Sequence, residues 1–281
     1  MTGSRSGFTW AAMAALCLAC LAGCAADKGA DGRTGSPHAI NYSVVSGLAP
    51  NSISATKKAS AADSALPQLP PPLYVSPSSL QLLAELPPYP VEGSFADTVD
   101  LLVVRALQSS RKVEDVREAE LLAALNARVF LSYLLPKLGY TFDDAKYVKS
   151  IRLLDQIQSD MRGINRAANG IYEFRARPAA RADDIQPALP PGRFLTSSYP
   201  SANASTLYVW AGVLSEVLPA HRQAIKEVTN RAAWLRVVSG LHFPSDLVGS
   251  HKVSLEALRA FNSVPAFRMN RAQLDAEFKM H

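Results

Sequence analysis

Cysteine is nearly missing from this chain. Of 281 residues only Cys17, Cys20 and Cys24 are cysteines, all at the very start. If processing removes the leader before Cys24, the mature protein has no free thiol and no disulfide, which excludes cysteine nucleophiles and thiolate metal sites. An exported domain of this length buries enough core to do without staples. Also lacking is any basic run interleaved with aromatic residues, so nucleic-acid binding is not expected. The net charge of +5, one unit of it from Arg5 in the leader, favours an anionic substrate and no more. Strand signals are scarce, and no internal repeat is found. A hydrophobic share of 48% against 19% charged suits a globular chain.

The N-terminus reads as an export signal. Arg5 supplies a short positive start, and Phe8 to Leu21 is an apolar run too short to span a bilayer comfortably. Leu21-Ala22-Gly23-Cys24 has the form of a bacterial lipoprotein processing site, with Cys24 as the acylated residue. Several acyl chains would then anchor the protein to a membrane. Ala25 and Ala26, with no Asp directly after Cys24, favour the outer membrane. The domain is expected to face the periplasm, with the exterior as the alternative. A plain secretory signal cleaved nearby is the other reading. The expected organisation is a signal peptide over 1–23, a flexible Ala/Ser/Pro-rich tether over 24–72, and a helical domain over 73–281.

Within that domain the apolar residues recur at helical spacing almost throughout. The pattern predicts a helix over Phe95 to Gln108. A long one follows from Val113 to Leu138, which Pro136 should kink or stop. A third runs from about Phe142 to about Arg175, ended by Pro178. A proline-rich loop over 178–198 precedes helices from Ser201 to about Val217, from His221 to Val238, and from Pro244 to about Phe261. A last amphipathic segment covers Ala266 to Lys279. The expected fold class is an all-α bundle.

The segment Arg236-Val-Val-Ser-Gly-Leu-His242-Phe-Pro-Ser-Asp246 is the most informative. His242 and Asp246, four residues apart at a helix start, can share one side, so that the carboxylate holds one imidazole nitrogen and leaves the other free to attack. A turn brings Arg236 to the same centre. The competing reading is a hydrogen-bonded histidine in a helical core. Upstream lie Arg177-Pro178 and Tyr199-Pro200-Ser201-Ala202-Asn203. Ser201 and Ala202 sit at a helix start, where backbone N–H groups favour an anion and the Ser hydroxyl adds a donor; a simple N-cap is the alternative. For each arginine the alternative is a surface ion pair. A metal held by His242, Asp246 and His251 is disfavoured, because His251 falls about 140° round the helix from Asp246 at roughly 100° per residue.

In order and spacing the three segments resemble the tripartite signature of the type 2 phosphatidic acid phosphatase superfamily, and within it most of all the class A bacterial non-specific acid phosphatases. That signature is Lys, six residues, Arg-Pro; then Pro-Ser-Gly-His; then Ser-Arg, five residues, His, three residues, Asp. Leu86-Pro-Pro-Tyr-Pro-Val-Glu-Gly-Ser94 also looks like the opening of the class A catalytic domain, so the likeness covers roughly residues 80 to 262. The resemblance implies a helical bundle of the acid phosphatase / vanadium haloperoxidase type. It also implies hydrolysis of phosphomonoesters through a phosphohistidine, with no cofactor and no metal. His242 would be the nucleophile, Asp246 its partner, and Arg177 and Arg236 phosphate clamps, with Ser201, Ala202 and Asn203 lining the substrate.

The chain departs from the signature at four places. Gly170 stands where the family has Lys, Ala202 where it has Gly, Asn203 where it has the His that protonates the leaving group, and Leu235 where it has Ser. Asn203 can hydrogen-bond but has no proton to give. General acid catalysis is worth roughly 10² to 10⁴ in rate, and a charge clamp roughly 10² to 10³, so reduced activity is expected. Arg166, one helical turn before Gly170, is a candidate to fill the empty cation position; nothing in their spacing recommends His221 or His251 as replacement acids. A catalytically decayed phosphate- or ligand-binding lipoprotein on the same fold is the second reading. Vanadate-dependent halide oxidation ranks third, since it needs the same missing groups.

Overall fold

The apolar stripes read from the sequence become helices, and the breaks between them are where the structure adds most. The computed structural model describes residues 69–189 and 196–279. The signal peptide, Cys24, most of the tether and part of the proline-rich loop lie outside the described residues. Among those residues there is no β-strand, and the fold is all-α. No described helix is long and apolar enough to cross a membrane.

After a short helix α1 (Leu82–Glu85), α2 (Phe95–Ser110) starts at Ser94, whose side chain accepts the Asp97 N–H. The single long helix expected from Val113 to Leu138 is instead two, α3 (Val113–Leu121) and α4 (Ala127–Leu134), followed by a 3₁₀ turn at Leu135–Leu138. The Asn126 carboxamide oxygen accepts the Val129 N–H at 3.0 Å and starts α4, and an N-cap of that kind begins a helix and does not continue one. Pro136 opens the 3₁₀ turn, and Gly139, at φ 86°, closes it. α5 (Val148–Asn169) ends at Gly170, five residues short of the predicted Arg175. Pro178 does not end that helix. It is the first residue of a short helix α6 (Pro178–Arg181), where its missing N–H is no loss.

The helices α7 (Ala202–Val217), α8 (Arg222–Val238) and α9 (Pro244–Ser263) fall where the spacing places them. The last amphipathic segment divides into α10 (Pro265–Ala272) and α11 (Asp275–Lys279). α7 is buried on most of its surface and packs against α5, α8 and α9. Trp210 at its centre is fully buried, stacked on Phe130, and its indole N–H donates to the Leu154 carbonyl at 2.9 Å. Gly212 lets α7 approach α9, because a Cβ there would lie 2.5 Å from Leu258 Cδ1.

Two carboxylates tie the chain ends to α5. Glu277 accepts the Lys149 and Ser150 N–H groups at 2.6 and 3.0 Å, at the positive end of the helix. Asp160 accepts three successive N–H groups, from Leu73, Tyr74 and Val75, at 2.7 to 2.9 Å. The proline-rich strap before them also lies on α5, with the Pro71 carbonyl accepting from Gln156 at 2.7 Å.

Candidate active site

The third segment is built by two helix ends meeting. α8 finishes at Val238, and Gly240, at φ 69°, reverses the chain in a left-handed conformation suited to glycine. The turn brings the Leu241 and His242 N–H groups onto the Arg236 carbonyl at 3.1 and 3.2 Å. Pro244 then opens α9, and Asp246, in its first turn, accepts the Phe243 N–H at 2.8 Å. His242 thus precedes the helix while Asp246 belongs to it. This places His242 Nδ1 3.2 Å from Asp246 Oδ2 and 2.9 Å from the Ser198 carbonyl. A carbonyl cannot donate, so Nδ1 carries the proton and Nε2 carries the lone pair.

Arg177 comes from the stretch after α5, which the sequence pattern assigns in part to a helix. A residue before proline is driven out of the α region, and Arg177 is extended, at φ −75° and ψ 160°. The stretch is fixed by Ser197 and Ser198: the Arg175 N–H donates to Ser197 Oγ at 3.1 Å, and the Ser198 N–H donates to the Arg175 carbonyl at 2.9 Å. Arg177 Nη1 reaches His242 Nε2 at 2.9 Å and the Leu241 carbonyl at 2.8 Å. Arg236 comes from the last turn of α8. Its Nε is buried and has no hydrogen-bond partner among the described residues. Burial, with Arg177 beside it, lowers the guanidinium to about 10.

The Tyr199–Asn203 segment starts α7 beside this pair. Ser201 is its N-cap residue but makes no capping hydrogen bond, and its buried Oγ has no partner among the described residues. Its N–H lies 3.5 Å from the Asp246 carbonyl, and its own carbonyl accepts from Ser250 Oγ at 2.9 Å. Asn169, at the end of α5, donates to the Tyr199 and Pro200 carbonyls at 2.8 and 2.9 Å, and Asn165 donates to the Ala202 carbonyl at 3.2 Å. The Tyr199–Pro200 peptide is cis. Ala202 and Asn203 are half-buried in the first turn of α7, and no hydrogen bond joins either to His242.

The structure thus brings Arg177, His242 and Asp246 into direct contact, leaves Arg236 near enough for its charge to act on Arg177 and His242, and sets Ser201 against the backbone of Asp246. Arg166 is exposed, with no hydrogen bond to Arg177 or His242, so the proposed substitute cation stays outside this cluster. His221 pairs with Tyr140 at 3.3 Å, and His251 is exposed against the Tyr208 ring; neither approaches the pair.

Four further residues belong to the cluster. Ser198 supplies its carbonyl to His242 and its hydroxyl to Asp246. Arg175 Nη1 donates to Asp246 Oδ1 at 2.7 Å and Nη2 to Asp100 Oδ2 at 2.8 Å. Ser245 bridges Arg175 and Asp100, and its N–H donates to Asp100 Oδ1 at 3.2 Å. The sequence held one sign of Arg175: in an extended stretch, side chains two apart share a face, so Arg175-x-Arg177 before a proline presents two cations together.

Burial pushes the His242 imidazole down to about 4; the hydrogen bond to Asp246 opposes it, and Arg177 and Arg236 reinforce it. Burial acts to raise the Asp246 carboxyl, but Arg175 and the donors His242 and Ser198 outweigh it and hold it below the usual carboxylate range. The result is a neutral imidazole beside an ionised carboxylate, with the Arg177 guanidinium on the other ring nitrogen. A cleft of about 300 Å³, walled by Phe174, Ala176, Pro187 and Gly240, opens at Arg177.

No family model matches the chain. Among solved structures the chain is similar to one described as the first transmembrane PAP2 type phosphatidylglycerolphosphate phosphatase from Bacillus subtilis. The similarity has 18% identity, covers 71% of this chain and 92% of that chain, and has a TM-score of 0.43.

Proposed function

We propose that this protein is a phosphomonoester hydrolase of the type 2 phosphatidic acid phosphatase superfamily, of the acid phosphatase kind. In this reading it is held to the outer membrane through Cys24 and faces the periplasm. The observation that carries the reading is the pair of opposite hydrogen-bond environments on one imidazole. Nδ1 is tied to Ser198 and Asp246, and Nε2 faces Arg177; the buried Arg236 Nε has no hydrogen-bond partner among the described residues.

A phosphoryl group arriving at Nε2 displaces the Arg177 contact and takes its charge onto two guanidiniums. The Nε2 lone pair forms the P–N bond while the P–O bond to the leaving group breaks, its electron pair going to that oxygen. Asp246 stabilises the resulting cationic ring, much as a carboxylate does in a hydrolase triad. Water then attacks phosphorus and the P–N bond breaks, its electron pair returning to Nε2; phosphate leaves with the water's oxygen, the released proton passes to solvent, and His242 is neutral again. Ser201, with the N-terminus of α7, suits an oxygen of the bound phosphate.

Asn203 supplies no proton, so the leaving oxygen departs as an anion. Substrates with stable leaving anions, aryl phosphates first among them, are favoured, and the cleft beside Arg177 has apolar walls that suit such a group. The full-length protein hydrolyses an aryl phosphate slowly, and His242→Ala abolishes the activity; equal rates in mutant and parent would rule the mechanism out. The second reading, a phosphate-binding protein without turnover, is favoured by Gly170 and Asn203 standing where the resembled signature has a cation and an acid. Calorimetric phosphate binding without turnover by the parent would establish it.

A further inference from the structure

Arg175 is a second buried arginine, and the reaction above has no use for it. It is 3% exposed, held between the Asp246 and Asp100 carboxylates, with the Phe243 ring centroid 4.1 Å from its Cζ and the Tyr89 ring at 5.2 Å. Burying a guanidinium is expensive unless its partners are close and well aligned. This one is aimed at the carboxylate behind the nucleophile.

An aspartate beside an imidazole ordinarily favours the imidazolium and so raises its basicity. Here that carboxylate is shared. Oδ1 meets a permanent cation, while Oδ2, the oxygen facing His242, also accepts from Ser198 Oγ and the Phe243 N–H. The shorter of the two Nδ1 contacts is to the neutral Ser198 carbonyl. The charged groups acting on the imidazole are Arg177, in contact with Nε2, Asp246, in contact with Nδ1, and Arg236, whose charge opposes protonation of the ring. Behind Asp246 stand Arg175 and Asp100, then Asp97, 3.8 Å from Arg175, with Arg181 on it.

The geometry points to Arg175 as a positioning residue that acts on His242 through Asp246: by holding one carboxylate oxygen it keeps the aspartate from drawing a proton onto the imidazole, so that Nε2 stays open well into the acid range. Asp100 is its counterweight, drawing part of the guanidinium's charge away from Asp246. The inference rests on His242 as the proposed nucleophile, but it concerns a protonation that is measured without turnover.

The test is a side-chain ¹⁵N NMR titration of the full chain, with the His242 signals assigned by their loss in His242→Gln. Arg175→Met raises the His242 midpoint so that the protonated fraction at fixed pH grows about tenfold or more, one unit or above. Arg175→Lys keeps a cation in place and stays near the parent. Asp100→Asn leaves the midpoint where it is or lowers it. In an Asp246→Asn background, Arg175→Met no longer moves the midpoint, because the path through the carboxylate is gone. An unmoved midpoint in Arg175→Met overturns the inference, as does a rise of equal size in the Asp246→Asn background. If Arg175→Met does not fold, Arg175→Lys and Asp100→Asn still decide, since a raised midpoint in either contradicts it. A parent without aryl phosphate turnover removes the proposed reaction and leaves this titration to stand or fall on its own.

Discussion

Arg177 Nη1 lies 2.9 Å from His242 Nε2, on the ring nitrogen that faces away from Asp246. In the proposed reaction the same guanidinium covers the attacking nitrogen first and then takes the phosphate. Replacing it by alanine removes a charge-assisted contact from a site that Arg236 alone cannot complete. Arg177→Ala lowers kcat/KM for an aryl phosphate by roughly 10² to 10³ and weakens inhibition by inorganic phosphate. Unchanged phosphate inhibition would separate Arg177 from the anion site.

His242 also ties stability to pH. Its folded-state value, about 4, lies below the ordinary 6.5, so the unfolded chain binds the extra proton between those two values. Stability contributed by the neutral imidazole is fully present above pH 6.5 and is lost as pH falls toward 4, by an amount on the order of 3 kcal/mol. Asp246, depressed by its partners, adds a loss at still lower pH, as it is protonated. Thermal unfolding followed from pH 7 to pH 4 shows a shallower decline in His242→Gln than in the parent. Parallel curves would place the imidazole in contact with solvent.

Asn203 stands where the resembled signature has its acid. Asn203→His places an ionisable ring in the first turn of α7, beside the Ser201 cap. Turnover of alkyl phosphates then rises by roughly 10², and of aryl phosphates by much less, because only the poor leaving group needs the proton. An equal gain for both classes, or none, contradicts the assignment of the acid position.

Gly249 holds Tyr199 in place. A Cβ at this position of α9 would lie 2.5 Å from two atoms of the Tyr199 ring. The ring cannot retreat, since Tyr199 is 3% exposed and its hydroxyl donates to the Pro87 carbonyl. Gly249→Ala destabilises the fold by about 1 to 3 kcal/mol, read as a lower denaturant midpoint, and shifts the Tyr199–Ser201 segment that starts α7. An unchanged midpoint would mean that the two elements are looser than they stand here.

The helices that were legible in the sequence are those with an unbroken apolar pattern: α2, α7 and α9 start within a residue of where that pattern puts them, α9 with Pro244 in its first turn. The misplaced boundaries have local causes. Asn126 caps a new helix inside a periodic run, and the stretch before Pro178 is extended although its apolar pattern continues that of α5. The contact between His242 and Asp246 follows from their four-residue spacing at a helix start and from the turn at Gly240, whereas Arg177 was expected at this site only through the resemblance. Of Arg175 the sequence held only its spacing from Arg177, and of Asp100 nothing, because α2 and the 173–177 stretch meet only in the folded chain. Arg166 lies on α5 one turn before Gly170, as the spacing has it, but it is exposed and makes no hydrogen bond to Arg177 or His242.

The central claim is that His242 takes the phosphoryl group. N-phosphoimidazole survives alkali and decomposes in acid, so an alkaline quench of the full-length protein turning over an aryl phosphate captures it directly. The account predicts a base-stable, acid-labile phosphoryl group on the peptide carrying His242, absent from His242→Ala. Steady hydrolysis with no phosphorylated protein at any quench time, or the label on another residue, would contradict it.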